Sequence, residues 1–387
     1  MQRSRLHIDQ IRIGQPLPFD TFDAMGNLLL RKGYVLDDLS QAERLVERGL
    51  FAEGGVDGAI KRADRTALVD IASTRLRGKK VSIFALLDEC QETLEKHVED
   101  RGADFVEGVL DVAALIQRAC KLDADAALAS TLLRNAGRYS IRRLIQTALV
   151  VELLLLRLER ADQERRTAVA AALTRDIAML SLQDVLYHQA TPPDETQRVA
   201  LHTHPHDGAE MLRASGVTDP IWLEIVRQHH ETIDGQGYPD GLKSDAILET
   251  SQIVSLADRY GALVSGRAYR SALLPSAALR EIFTGQGKSV QASHVALLVK
   301  EVGVYPPGSI VLLANGDTAV VLKRMPHAHQ PVVRCIRNNL RQRLPGAPKR
   351  LTKEAVFAVK GSIPASDLNF VIDPAQIWEE TFEVESG

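Results

Sequence analysis

Cysteine, long apolar runs and excess positive charge are all scarce in this sequence, and each shortage excludes something. Three cysteines occur in 387 residues, Cys90, Cys120 and Cys335, far apart and with no CxxC pair. No disulfide framework is expected, and the thiols read as reduced and buried. The longest apolar run, Ala148 to Leu156, is interrupted by Glu152 and is too short to span a bilayer. The first ten residues, MQRSRLHIDQ, lack the apolar stretch of a signal peptide. Lysine and arginine number 47 against 50 acidic residues, for a formal net charge of -3. No basic footprint points to nucleic acid. These absences together predict a cytoplasmic chain with no membrane span and no nucleic-acid partner.

What is present is globular in kind. Apolar residues make up 45% and charged residues 25%, and the length suits two or three domains. Residues 1–56 suggest a small α+β module. A turn at Gly26-Asn27 separates two extended runs, a second turn falls at Lys32-Gly33, and Ser40 with Glu43 forms a capping box for a helix through Leu45 and Val46. Residues 57–100 are charged and read as a helical linker. From Val81 to about Cys120 an amphipathic pattern suits domain packing or a homodimer seam. Residues 101–340 read as helix after helix, among them Asp123–Leu133, Ile141–Leu158, Glu164–Leu180, Asp194–Ala214, Pro220–His230 and Thr250–Val264. The period then changes, and Asn315-Gly316 marks a hairpin turn between Ile310–Leu313 and Ala319–Leu322. Residues 341–387 read as a tail.

The most informative stretch is HHETIDGQGYPDGL, residues 229 to 242. Upstream, Ile221, Ile225 and His229 form one row at i, i+4, i+8, and Trp222, Val226 and His230 form the next. Both imidazoles are therefore expected to face inward. A single inward histidine is most often a hydrogen-bonded core residue. Two in succession, before a glycine-rich loop that reads as rigid and exposed, suggest a metal pocket with a substrate-facing lip.

This stretch resembles the HD-GYP domain, a branch of the HD phosphohydrolases whose better-known members hydrolyse cyclic di-GMP. It matches every fixed position of the signature HHExxDGxGYPxGL. With HPHDGAEML at His204 and the YPPGS hairpin at Tyr305, the resemblance covers roughly residues 130 to 340. It implies a mainly α helical-bundle HD-GYP domain, here with a small α+β N-terminal module and a C-terminal β-hairpin region. It also implies a two-metal centre built from histidine and aspartate, able to clamp a phosphoryl group. Carried over position by position, the ligands present are Asp176, His204, His229, His230 and Asp258. The histidine of the HD pair falls on Arg175, and an earlier histidine falls on Arg143; an alternative register would use Gln183-Asp184.

Arginine has no lone pair to offer a metal and stays charged. The resemblance therefore implies one divalent metal, such as iron or manganese, rather than two. Arg143 and Arg175 are expected to replace the other as counter-charges to Asp176 and Asp258. A phosphate-contacting lysine of the family falls on Met179, and a later aspartate on Gly261. Arg267 and Arg270, with Tyr238, form a possible nucleotide-facing edge for cyclic di-GMP. The sequence thus predicts a catalytically impaired HD-GYP protein that binds nucleotide or docks through Gly237, Tyr238 and Pro239 onto a GGDEF-domain or other signalling protein. The alternative is an active metal-dependent cyclic di-GMP phosphodiesterase with a reduced metal site.

Overall fold

The computed structural model describes residues 80–285, 290–344, 346–378 and 382–383, with short segments at 3–5, 21–22, 28–31 and 51–53. The chain divides into two compact units, residues 1–74 and 75–387. In the first, strands β1 (Arg3–Arg5), β2 (Thr21–Phe22), β3 (Leu28–Leu30) and β4 (Phe51–Glu53) form an antiparallel sheet in the order β1-β4-β2-β3. The β2–β3 pair is the one expected around Gly26-Asn27, and the Thr21 hydroxyl ties it by accepting from the Leu30 amide at 3.1 Å. The second turn, the capping box with its helix, and residues 57–79 lie outside the described residues.

The second unit opens with β5 (Lys80–Val81) and then becomes helical. Its helices are α1 (Ile83–Glu99), α2 (Phe105–Leu122), α3 (Ala124–Leu133), α4 (Tyr139–Arg157), α5 (Asp162–Thr174), α6 (Leu180–His188), α7 (Glu195–Ala214), α8 (Pro220–Gln228), α9 (Glu249–Val264), α10 (Pro275–Thr284) and α11 (Ala292–Val302). Side chains fix several of the starts. The Asp123 carboxylate accepts from the Asp125 and Ala126 amides, Asp194 and Gln197 form a reciprocal capping box, and Asp219 caps α8 with Pro220 at its first turn. A continuous apolar core joins these helices, from Leu87 and Leu94 through Leu149 and Val169 to Leu256. Helix α1 belongs to that core, with Leu87, Cys90 and Leu94 fully buried, so the second half of the expected linker is a packed helix. All three cysteines are free and buried.

Two expectations change in ways that matter. The helix expected over Glu164–Leu180 stops at Thr174. Residues 175–179 switch to i→i+3 bonds, Ile177 to Thr174 at 3.1 Å and Met179 to Asp176 at 2.8 Å, and α6 starts afresh. The turn carries Arg175 and Asp176, both buried. The C-terminal hairpin is also larger than expected. Strands β6 (Ile310–Leu313), β7 (Thr318–Lys323), β8 (Val332–Arg337), β9 (Lys349–Leu351) and β10 (Val359–Ser362) form one antiparallel sheet in the order β10-β6-β7-β8-β9. The stretch read as a tail therefore supplies both edge strands. It continues through a short helix, α12 (Pro374–Ile377), to β11 (Phe382–Glu383), which pairs with β5. Among the described residues no helix is long and apolar enough to cross a membrane.

Candidate metal centre

Four side chains from separate parts of the fold meet inside the helical body. Asp176 comes from the turn after α5, His204 from the middle of α7, and His229 and His230 from the end of α8. One potential ligand atom from each lies within 4.8 Å of the others. Asp176, His204 and His229 are buried, and His230 is partly so. Asp184, from the alternative register, is elsewhere: it accepts from the Ser140 amide and hydroxyl and pairs with Arg138.

Two backbone features decide which histidine nitrogen faces the cluster. Pro205 has no N–H, so the Leu201 carbonyl four residues back loses its usual helical donor. His204 Nδ1 takes that place at 2.8 Å. Helix α8 ends at Gln228, which leaves the carbonyls of its last turn without helical partners. His229 Nδ1 lies 2.6 Å from the Val226 carbonyl. A carbonyl can only accept, so in both rings Nδ1 carries the proton, and neutral rings present an Nε2 lone pair inward.

Those two Nε2 atoms are 3.2 Å apart, and they lie 3.5 and 3.6 Å from Asp176 Oδ1. Burial, then His204, holds the His229 pKa below its ordinary value, against the pull of Asp176. Burial, then His229 and His204, pushes His230 further down. Neutral rings cannot hydrogen-bond to each other through two bare lone pairs. Two lone pairs and a carboxylate aimed at one point fit a divalent cation, and the orienting carbonyls are the support such ligands require.

Asp258, the fifth expected ligand, is not part of this cluster. Its Oδ1 accepts from Arg143 Nη2 at 2.7 Å and Arg175 Nη2 at 2.6 Å. Arg175 Nη2 also lies 3.1 Å from Asp176 Oδ2, so one guanidinium spans both carboxylates. Burial alone would raise the Asp258 pKa, but Arg175 and Arg143 overcome it and hold the pKa at about 2. For Asp176 the same burial is overcome chiefly by Arg175, which holds its pKa well below the ordinary carboxylate value. Gly261 makes room for this arrangement, because a Cβ at that position would collide with Arg143 Nη1.

The GYP loop is less exposed than expected. Glu231 is buried and accepts from the Asp240 amide at 2.7 Å and the Leu242 amide at 2.9 Å, folding the loop back on itself. Gly237 is needed because a Cβ there would strike the backbone of residues 230–232. The Tyr238 ring is no exposed tip. It stacks on His230 with centroids 4.7 Å apart and on His202 at 4.8 Å, forming a wall of the site. Gly237, Tyr238 and Pro239 are all half-buried.

Arg267 donates through Nε to the Tyr139 hydroxyl at 3.1 Å, and Arg270 donates to the Ala262 carbonyl at 2.5 Å. Met179 is buried. Sequence reasoning named Gln183 only in the alternative register and His202 not at all; Gln183 donates to Asp176 Oδ2 at 3.2 Å. That reasoning gave no role to Glu231, although the residue stands inside the matched signature.

The HD-domain family profile matches residues 115–290. A cyclic di-GMP phosphodiesterase of Pseudomonas aeruginosa is 28% identical over 200 residues, which cover 52% of this chain and 48% of that protein. The cyclic di-GMP phosphodiesterase response regulator RpfG of Xanthomonas campestris is 31% identical over 141 residues, covering 36% of this chain and 37% of that protein. The chain thus spans about half or less of these relatives. Among solved structures, the HDG"Y"P protein Bd1817 of Bdellovibrio bacteriovorus aligns with a TM-score of 0.51 at 17% identity, over 77% of this chain and 99% of that one, a likeness of fold. Residues 115–290 thus match an HD domain, and the chain is similar in sequence to cyclic di-GMP phosphodiesterases and in fold to an HD-GYP-like protein.

Proposed function

We propose that the chain is a phosphodiesterase of the HD-GYP type that works with one divalent cation and acts on a cyclic dinucleotide. The observation that carries this reading is the pair of His204 and His229 Nε2 atoms, 3.2 Å apart beside Asp176, each with its Nδ1 proton committed to a carbonyl. Asp176, His204, His229 and His230 would hold the cation. Bound there, it would supply Lewis acidity toward a phosphoryl oxygen.

The protein's own groups do the rest. Arg143 and Arg175 neutralise Asp258 and the far oxygen of Asp176. That balance keeps the two carboxylates together without a second cation. Tyr238, held between the rings of His230 and His202, walls the site beside the cluster. Arg267 and Arg270, joined by one short β-bridge, would serve as cations for substrate phosphate.

A second reading, an impaired enzyme that binds nucleotide, is favoured by Met179 standing where the resemblance implies a phosphate-contacting lysine. Docking of a GGDEF-domain partner through Tyr238 is the weaker form of that reading, because the ring is packed on His230. Hydrolysis of cyclic di-GMP and of cyclic GMP-AMP by manganese- or iron-loaded protein separates the two. Turnover that disappears in His229→Ala supports the enzyme, whereas no turnover with metal bound supports the impaired reading.

A further inference from the structure

On the other side of Arg143 from Asp258 lies a cavity of about 240 Å³, between the helical body and the C-terminal sheet. It is lined from α4 by Tyr139, Arg142, Arg143 and Gln146, from the end of α3 by Arg134, and from the sheet side by Ser309. None of the metal-cluster residues lines it.

Three features of its wall point the same way. The first is charge: three arginines line the cavity and no aspartate or glutamate does. Arg143 is paired with Asp258 and Arg134 with Asp88, but Arg142 forms no ion pair among the described residues. Its hydrogen bond is a long one, 3.4 Å, to Asn135.

The second is donors without acceptors. Ser309 is 4% exposed and Arg143 is 2% exposed. Ser309 Oγ, Arg143 Nε and Arg142 Nε are all buried with no hydrogen-bond partner. Buried donors in this state cost free energy that an incoming acceptor would recover. The third is an aromatic face: Tyr139 and Tyr187 stack at 4.2 Å, and Arg142 lies over the Tyr139 ring. The remaining wall is apolar, including Ile145, Leu149 and Leu273.

The geometry points to a binding site for a small organic phosphate of nucleoside-monophosphate size. The phosphate meets Arg142, Ser309 and the free edge of Arg143, and the flat body lies against the tyrosine and apolar wall. At about 240 Å³ the space falls below the roughly 300–1,000 Å³ of drug-sized sites, which makes it too small for a cyclic dinucleotide. The site is therefore distinct from the metal cluster, although Arg143, which lines it, also pairs with Asp258. Arg143 Nη1 donates to Gln146 at 3.0 Å on the cavity side while Nη2 holds Asp258.

Calorimetric titration of the full chain with AMP, adenosine and inorganic phosphate tests this. The expected result is one AMP per chain, with adenosine and phosphate each at least tenfold weaker. Arg142→Gln should weaken AMP at least tenfold, with Ser309→Ala as a second variant should the first fail to fold. His229→Ala, which removes a ligand of the other site, should leave AMP binding intact. No binding of AMP, equal affinity for phosphate alone, affinity unchanged in both cavity variants, or loss of binding in His229→Ala would each overturn the assignment.

Discussion

The two halves of the central acidic site solve one electrostatic problem in opposite ways. Asp176 and Asp258 are carboxylates brought together inside a helical body, and each needs positive charge nearby. On the Asp258 side the chain supplies that charge itself through Arg143 and Arg175, groups that donate hydrogen bonds and cannot bind a metal. On the Asp176 side it supplies lone pairs from His204 and His229, which a cation would complete. Asp176 serves both halves, through Oδ2 to Arg175 and Oδ1 to the histidines. One half is complete with protein atoms alone. The other is a candidate receptor for a cation.

Substitutions can break this contrast in order of expected effect. Arg175→Met should do the most damage, because this fully buried guanidinium spans both carboxylates and its loss leaves buried Asp176 with no arginine partner and Asp258 with Arg143 alone. A loss of about 3–5 kcal/mol in urea unfolding is expected, as for other broken buried pairs. In His229→Ala the fold should persist, and metal affinity should drop by more than the ~10–100-fold typical of losing a mere supporting residue. Competition with a chelating dye would measure it. Arg143→Met should cost less than Arg175→Met, about 1–3 kcal/mol, because Asp258 is partly open to solvent and keeps Arg175.

The smallest effect is the most diagnostic, since pH should separate the halves. Burial holds the His229 pKa below its ordinary 6.5, so the unfolded chain takes up the extra proton first. Stability tied to the neutral ring is present above pH 6.5 and fades as the pH falls below it, and metal affinity falls in the same direction. Asp258 has its pKa lowered from 3.8 to about 2, so its contribution is present above 3.8 and is lost only as the pH falls towards 2. Between pH 6.5 and 4 the histidine half should therefore weaken while the arginine half holds. Melting of metal-free wild type should decline over that interval, and the gap between wild type and Arg175→Met should not.

Much of this site was legible in the sequence because its parts are local. His204-Pro205 is two adjacent residues, and the proline that marks the dipeptide also frees the carbonyl that orients the histidine. The arginines were legible as counter-charges because a guanidinium cannot be a ligand. What escaped depended on contacts distant in the chain. Tyr238 read as exposed because glycine, proline and aspartate surround it, yet Glu231 draws the loop inward by accepting from two amides about ten residues on.

The edge strands Lys349–Leu351 and Val359–Ser362 carry charge and little alternation, so only their pairing with β8 and β6 defines them. The clearance at Gly261 depends on Arg143, more than a hundred residues away.

Metal content per chain, measured on purified protein saturated with manganese or iron and freed of excess, tests the central contrast most directly. One ion is expected in the wild type and none in His229→Ala. Two tightly held ions in the wild type would mean that Arg143 and Arg175 swing away from Asp258 to admit a second, and would contradict that contrast.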